Sequence, residues 1–217
     1  MVKEIYIVRH GETNYNLEER IQGQINNNSC LTEKGWLKAE ELGKNLCNLG
    51  IRFDKVYSSD LRRAKETTKA ILKYLGNLPL EYVPELRERS FGCLQGKTIQ
   101  DIGIKDYKGA DLYTLNREGI LSDAESLESI GKRVNSFIQM IVKSKNCRVL
   151  VVGHEWINSY LINALLNENH IFHEQDNVAF HYFKLDDKGK FLEYKLNNSN
   201  NYKSQNKPFE VCLESKK

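Results

Sequence analysis

Short apolar runs rich in β-branched residues alternate with segments that carry apolar residues at helical spacing. The runs are Ile5–Val8, Asp54–Ser58 and Arg148–Val152, and the helical stripes that follow them are Trp36–Leu49, Leu61–Leu75 and Trp156–Leu165. Runs of this length predict buried strands. Strands that alternate with helices indicate an α/β fold. We therefore predict a three-layer sandwich, with a mostly parallel central sheet flanked by helices.

The remaining segments complete one predicted domain over residues 1–196. A helical stripe covers 127–142, a short strand lies near 80–83, and residues 178–185 and 191–196 form a hairpin. Residues 85–125 are rich in glycine and charge, with helix-length pieces near 98–102 and 106–118. We expect a lid or insert at about 93–125 and a polar C-terminal tail over 197–217.

Composition excludes several classes of protein. The chain has 217 residues, of which 40% are hydrophobic and 28% charged, enough for a core without metal or disulfide support. It shows neither a membrane-length apolar run nor a signal-peptide pattern. Its five cysteines are odd in number and form no CxxC pair, which favours reduced thiols. We expect a cytoplasmic protein with no membrane partner.

The net charge of +3 is too small to indicate a nucleic-acid partner. Residues 187–217 hold seven lysines and four acids, so they carry this whole excess, and the rest of the chain is neutral. Any anion site in the body of the protein must therefore depend on particular side chains rather than on overall charge.

Cationic and imidazole side chains follow the three main predicted strands. The segments are Arg9-His10-Gly11-Glu12, Ser58-Ser59-Asp60-Leu61-Arg62-Arg63-Ala64 and Gly153-His154-Glu155. Ligands of α/β folds bind beyond the carboxyl ends of the strands. An arginine fork matches two phosphate oxygens, and a neutral imidazole can attack phosphorus. The sequence therefore predicts a phosphate site at this edge of the sheet.

Five motifs in order resemble the histidine phosphatase superfamily, in the branch of cofactor-dependent phosphoglycerate mutases and their phosphatase relatives. They are Arg9-His10-Gly11-Glu12-Thr13-Asn14-Tyr15-Asn16, Gln22-Gly23 with Leu31-Thr32-Glu33-Lys34-Gly35, Ser58–Thr67, Leu86–Gly92 and Val151–His154. The RHG triplet alone is a weak signal, but five motifs in sequence are specific. The resemblance covers about residues 3–185.

The resemblance implies roles for individual residues. His10 would be the nucleophile and would form a phosphohistidine, while Glu88 would protonate the leaving alcohol and then activate water. The residues implied to bind the phosphoryl group are Arg9, Arg63, His154 and Asn16. Gln22 and Gly23 would contact the substrate at the edge of the site. The family chemistry uses no metal or other cofactor, and a homodimer is compatible with the resemblance.

Glu155 departs from the pattern, because this branch usually has glycine after its second histidine. Glu155 could compete with Glu88 as proton donor, add negative charge beside the substrate, or act as an N-terminal helix carboxylate. We favour Glu88 as the donor, since the RHGxRxP signature of the other branch is absent.

A second departure separates hydrolysis from mutase chemistry. The segment after Gly92 lacks the cationic stretch typical of the mutases, and the 93–125 insert is short. A phosphatase needs only to admit water, so we predict a phosphomonoesterase acting on a small phosphorylated substrate. Mutase-type transfer and a non-catalytic phosphate-binding module remain alternatives.

Trp156 and Tyr113 are candidate apolar lining residues of the site. The pair His170 and His173 could suggest a metal site, but it lacks a third metal ligand.

Overall fold

The computed structural model describes residues 2–103, 123–168 and 172–197. The sequence predictions for a helix at 106–118, for Tyr113 and for His170 lie outside these ranges, as do most of the insert and the tail from residue 198 onward. The single-domain boundary at 196 remains a prediction.

Strands and helices alternate through the described chain. In order they are β1 (Lys3–Arg9), α1 (Asn14–Leu17), α2 (Glu33–Asn48), β2 (Lys55–Ser58), α3 (Arg62–Leu75), β3 (Leu80–Tyr82), the 3₁₀ segments Pro84–Leu86 and Gly92–Leu94, α4 (Leu127–Lys143), β4 (Arg148–Gly153), α5 (Glu155–Leu166), β5 (Phe180–Leu185) and β6 (Phe191–Asn197).

One predicted helical piece is a turn instead. At 98–102 the backbone N–H of Thr98 donates to Asp101 Oδ2 at 2.9 Å, and the N–H of Asp101 donates to Thr98 Oγ1 at 3.1 Å. These reciprocal bonds close a single turn, which Gly103 follows with φ of 70°. The prediction of a helix at 98–102 was therefore wrong.

The six strands form one sheet in the order β3-β2-β4-β1-β5-β6. β1, β2, β3 and β4 run parallel to their neighbours within this group, while β5 is antiparallel to both β1 and β6. The sheet is thus mostly parallel, as predicted. In this register Arg9 lies opposite Gly153, and Ser58 lies opposite Val152. The carboxyl ends of three strands therefore share one edge.

Helices cover both faces of the sheet, which gives the predicted three layers. Alternate strand residues such as Ile7 and Val151 point into a core that includes Phe137 of α4, and the intervening Val8 and Val152 point into the core beneath α2 and α3. This alternation follows from the two-residue period of a strand. Both faces of the central strands are buried, so their sequences read as continuous apolar runs.

Two helices begin at the edge where the parallel strands end. α3 starts at Arg62, four residues after β2, and α5 starts at Glu155, directly after His154. A helix N-terminus presents free N–H groups and a partial positive charge. This edge is therefore suited to anions before any side chain is considered. In the described ranges, no helix combines the length and apolar character needed to cross a membrane.

Candidate active site

A small pocket opens at this edge of the sheet. The described residues that line it are Arg9, His10, Gln22, Gly23, Arg63, Glu88, Phe91, Glu155 and Trp156. Seven of these belong to the sequence-derived set of site residues. The other two members of that set, Asn16 and His154, are not among the lining residues.

His10 occupies the first position after β1 and is buried. Its backbone N–H donates to the carbonyl of Gly153 at 3.0 Å, and its Nδ1 lies 2.8 Å from the carbonyl oxygen of Gly11. A carbonyl can only accept, so Nδ1 carries the hydrogen and Nε2 keeps its lone pair. Burial, together with the charges of Arg63 and Arg9, holds the pKa of His10 well below its usual value. The imidazole is thus neutral at physiological pH.

The turn after His10 depends on two glycines that lie in contact. A Cβ on Gly11 would lie 2.8 Å from the carbonyl oxygen of Gly35, and a Cβ on Gly35 would lie 2.2 Å from the carbonyl oxygen of Glu12. The N–H of Gly11 also donates to Thr67 Oγ1 at 2.9 Å. The His10 turn is therefore held directly against α2 and α3, which explains the glycines in both motifs.

Arg63 lies in the first turn of α3 and is 1% exposed. Its Nη2 donates to the carbonyl of Gly23 at 2.7 Å, and its Nη1 donates to the carbonyl of Ile25 at 3.2 Å. Gly23 has φ of 50°, which brings its backbone close to the guanidinium. The neighbouring Arg62 is exposed and pairs with Glu66 at 2.7 Å. The structure thus separates the two arginines, with Arg63 buried at the pocket and Arg62 on the surface.

His154 lies behind the pocket lining, between the nucleophile candidate and Arg63. Its ring centroid is 5.1 Å from that of His10. Its Nδ1 is 3.1 Å from Nε of Arg63, and its Nε2 is 2.8 Å from Oγ of Ser59. Burial and the charge of Arg63 keep its pKa well below the usual value. In this structure both ring nitrogens of His154 are occupied by protein groups.

Glu88 is buried with its carboxylate at the N-terminus of α5. Oε1 accepts from the backbone N–H of Arg89 at 2.9 Å and of Ile157 at 3.3 Å. Oε2 accepts from the N–H of Trp156 at 3.4 Å. Burial raises the pKa of Glu88, although the Arg89 bond and the charge of Arg63 partly oppose this. A buried carboxyl group with a raised pKa is the form that general acid catalysis requires.

The competing carboxylate, Glu155, lies against Arg9. The Arg9 Nη1–Glu155 Oε1 distance is 3.3 Å, and the Arg9 Nη2–Glu155 Oε2 distance is 3.2 Å. Glu155 Oε1 also accepts from the backbone N–H of Gln175 at 3.1 Å. Both oxygens of Glu155 are therefore engaged by the Arg9 guanidinium. We favour Glu88 as the proton donor, because burial raises the pKa of its carboxyl group.

Gln22 and Asn16 have different surroundings. Gln22 Oε1 accepts from the hydroxyls of Ser29 at 2.7 Å and Thr13 at 3.2 Å, which leaves its amide NH₂ as a donor on the pocket wall. Asn16 Oδ1 accepts from the backbone N–H of Thr13 at 3.0 Å and forms a capping box at the start of α1. Asn16 therefore stabilises the loop that follows His10.

Sequence reasoning missed two residues of the site and weighed a third without settling it. Phe91 forms part of the pocket wall and meets Trp156 edge to face, with ring centroids 5.8 Å apart. Its position beside Gly92 in the Leu86–Gly92 motif was the available signal. Trp156, considered as a lining residue, does line the pocket. Gln175 lies in the loop before β5, where no sequence pattern marks it.

Metal ligation finds no support in the side chains that are described. Across residues 2–103, 123–168 and 172–197, no group of three or more histidine, cysteine, aspartate or glutamate residues is arranged to hold a metal ion.

A neutral imidazole, two buried arginines and a buried carboxyl group with a raised pKa define a site for phosphoryl transfer through histidine. A family model described as histidine phosphatase superfamily (branch 1) matches residues 5–198. The chain belongs to that superfamily.

Individual relatives carry both mutase and phosphatase names. The chain is 32% identical over 166 residues to "Probable phosphoglycerate mutase GpmB" of Salmonella arizonae, covering 75% of this chain and 74% of that protein. It is 38% identical over 99 residues to the broad-specificity phosphatase YOR283W of Saccharomyces cerevisiae, covering 45% and 42%. The crystal structure of phosphoglycerate mutase from Bacillus anthracis superposes with a TM-score of 0.72 at 28% identity, covering 91% and 92% of the two chains.

Proposed function

We propose that this protein is a phosphomonoesterase that hydrolyses a small phosphorylated metabolite through a phosphohistidine on His10. The observation that carries the proposal is the hydrogen bond of His10 Nδ1 to the Gly11 carbonyl at 2.8 Å. This bond leaves the lone pair of Nε2 free in a pocket lined by Arg9, Arg63 and Glu88. The nucleophile His10, the anion-binding arginines and the acid Glu88 therefore surround the same pocket.

In the first step, the Nε2 lone pair of His10 forms a bond to phosphorus while the bond from phosphorus to the substrate oxygen breaks. Glu88 gives its proton to that oxygen, so the leaving group departs as a neutral alcohol. Arg9 and Arg63 stabilise the negative charge on the transferred phosphoryl group. The low pKa of His10 keeps the imidazole unprotonated and able to attack.

In the second step, water attacks the phosphohistidine. Glu88, now ionised, accepts a proton from the water as the new oxygen–phosphorus bond forms and the nitrogen–phosphorus bond breaks. Inorganic phosphate leaves, and both His10 and Glu88 return to their starting protonation states. One residue thus serves as acid and then as base, as microscopic reversibility requires.

Mutase-type transfer is the second candidate, because relatives of this chain carry that name. A mutase must hold a bisphosphate intermediate, which carries a second phosphate. Among the described lining residues the cationic side chains are Arg9 and Arg63, and Glu155 adds a carboxylate beside Arg9. This charge balance suits one phosphoryl group and favours hydrolysis.

The test is hydrolysis of p-nitrophenyl phosphate and of a panel of alkyl phosphomonoesters by wild type, His10→Asn and His173→Asn. His173 is a half-buried histidine that bonds Asn163 at 3.0 Å and does not line the pocket, so it is the matched control. We expect activity in wild type and the control and none in His10→Asn. Alkaline denaturation during turnover should trap phosphate on His10, detectable by mass spectrometry.

Equal rates for wild type and His10→Asn would contradict the proposal. Faster interconversion of 3- and 2-phosphoglycerate than release of phosphate would favour the mutase candidate instead.

A further inference from the structure

Among the described residues, the guanidinium of Arg9 is paired along one edge. Its two terminal nitrogens face the two oxygens of Glu155 at 3.3 and 3.2 Å, and Nη1 also donates to the carbonyl of Gln175. The edge formed by Nη1 and Nη2 is therefore filled by protein groups.

The other edge of Arg9 has an unused donor. Arg9 is 8% exposed, and its buried Nε has no hydrogen-bond partner in the described part of the chain. Buried donors are nearly always paired, so an unpaired one needs an explanation. Nε and Nη2 together form a fork that matches two oxygens of a phosphate. Arg9 lines the pocket beside His10, where such a phosphate would bind.

Glu155 is itself held in place from the α5–β5 loop. Gln175, which is buried, donates its backbone N–H to Glu155 Oε1 at 3.1 Å and its side-chain amide to the Glu155 carbonyl at 3.0 Å. Gln175 also accepts from Asn158 Nδ2 at 3.2 Å. The carboxylate therefore has a fixed position, set by groups that do not contact the pocket.

We propose that Glu155 is a positioning residue that holds Arg9 by its Nη1–Nη2 edge and so presents Nε and Nη2 to the phosphoryl group of the substrate. The inference rests on the proposed function, since it assigns a task within that phosphate site. Glu155 also supplies the counter-charge that a buried guanidinium needs. Its role is neither proton donation nor substrate contact.

Two other roles for Glu155 predict different outcomes for phosphate binding and for the pH–rate profile. A carboxylate that merely competes with phosphate for Arg9 would weaken anion binding, so its removal would tighten binding. A carboxylate that donates the proton would control the alkaline side of the pH–rate profile. Positioning predicts weaker phosphate binding after removal and an unchanged alkaline limb.

The experiment measures binding of inorganic phosphate by calorimetry to wild type, Glu155→Gln, Arg9→Ala and the double variant. Glutamine keeps an acceptor for the Gln175 N–H but loses the charge. We expect Glu155→Gln to weaken phosphate binding by roughly tenfold, the scale of one charge-assisted contact. In the Arg9→Ala background the same change should alter binding less than twofold, because the effect acts through Arg9.

The matched control is Glu4→Gln. It breaks another partly buried arginine–glutamate pair, Glu4 with Arg148, at the amino ends of β1 and β4. Phosphate binding should be unchanged there. Glu155→Asp keeps the negative charge but has a shorter side chain, so it should also weaken phosphate binding. This variant replaces Glu155→Gln in the experiment if Glu155→Gln does not fold.

The inference would be overturned if Glu155→Gln bound phosphate as tightly as wild type or more tightly. It would also be overturned if the effect were equally large in the Arg9→Ala background, or if Glu155→Gln lost the alkaline limb of the pH–rate profile. Absence of phosphate binding by wild type would overturn it as well. The proposed function would be contradicted by a different result, namely that wild type hydrolyses no phosphomonoester. If Glu155→Gln hydrolysed phosphomonoesters with the same KM as wild type, only the positioning role of Glu155 would be contradicted.

Discussion

Nε of Arg63 lies 3.1 Å from Nδ1 of His154. Since the guanidinium can only donate, Nδ1 of His154 accepts and its proton resides on Nε2, which faces Ser59 Oγ at 2.8 Å. One side of Arg63 is thereby fixed by an imidazole, and its terminal nitrogens are fixed by backbone carbonyls. The guanidinium is thus held in place by protein groups.

Replacing Arg63 with lysine should lower kcat/KM for p-nitrophenyl phosphate by roughly 10²-fold or more, because a lysine cannot reproduce the fork. Arg62→Lys is the control in the adjacent position, since Arg62 is exposed and pairs with Glu66. Its kcat/KM should stay within about twofold of wild type, as expected for a surface ion pair. Similar losses in the two variants would contradict the assigned roles.

Glu88→Gln should slow formation of the phosphohistidine from alkyl phosphates by roughly 10²-fold or more and from aryl phosphates much less, since phenolates leave without a proton. In wild type, the acid form is needed in the first step, so its rate falls as pH rises through the raised pKa of Glu88. The variant should lose this alkaline limb. Stopped-flow measurement of phosphoenzyme formation across pH checks both points, and an equal loss for both substrate types would exclude Glu88 as the acid.

The buried histidines should make the fold less stable in mild acid. The pKa values of His10 and His154 in the folded protein lie well below the reference value of 6.5. As pH falls below 6.5, the unfolded chain binds protons that the folded protein does not, so unfolding is favoured. The contribution of His10 and His154 to the free energy of unfolding is complete above pH 6.5. It is lost as the pH falls from 6.5 toward the pKa values of these histidines in the folded protein.

Urea unfolding at pH 7.5 and 5.5 measures this effect. The free energy of unfolding should fall between the two pH values, and the fall should be smaller in His10→Asn. An identical fall in that variant would show that His10 does not bind the proton responsible.

Much of the fold could be predicted because β1, β2 and β4 are buried on both faces and therefore read as apolar runs in the sequence. The positions of His10, Arg63 and His154 followed from parallel strands ending at one edge. The pairing of Arg9 with Glu155 joins residues far apart in sequence, and local periodicity carries no information about it. Gln175 lies in an irregular loop, and the inward hydrogen bonds of Asn16 depend on the Thr13 cap. The contacts of Glu155 with Arg9 and Gln175 arise only from tertiary packing, whereas the capping bond between Asn16 and Thr13 is local.

The contact of Gly11 with Gly35 links the position of the nucleophile to helix packing. In Gly11→Ala the new Cβ would lie 2.8 Å from a backbone carbonyl oxygen that cannot rotate away. The turn must move, so we expect a loss of about 1–3 kcal/mol in stability, as for other overpacked sites. kcat should also fall, because His10 moves with the turn.

Gly131→Ala is the matched control, since Gly131 lies within α4 and its added Cβ would meet nothing within 4 Å. Alanine is the better helix former, so this variant should gain about 0.5–1 kcal/mol in stability. Its kcat should equal that of wild type. Chemical denaturation with steady-state kinetics on both variants tests the pair. If Gly11→Ala kept the stability and the kcat of wild type, the contact between Gly11 and Gly35 would not determine the conformation of the turn after His10. The hydrogen bond from the Gly11 N–H to Thr67 would then have to determine it.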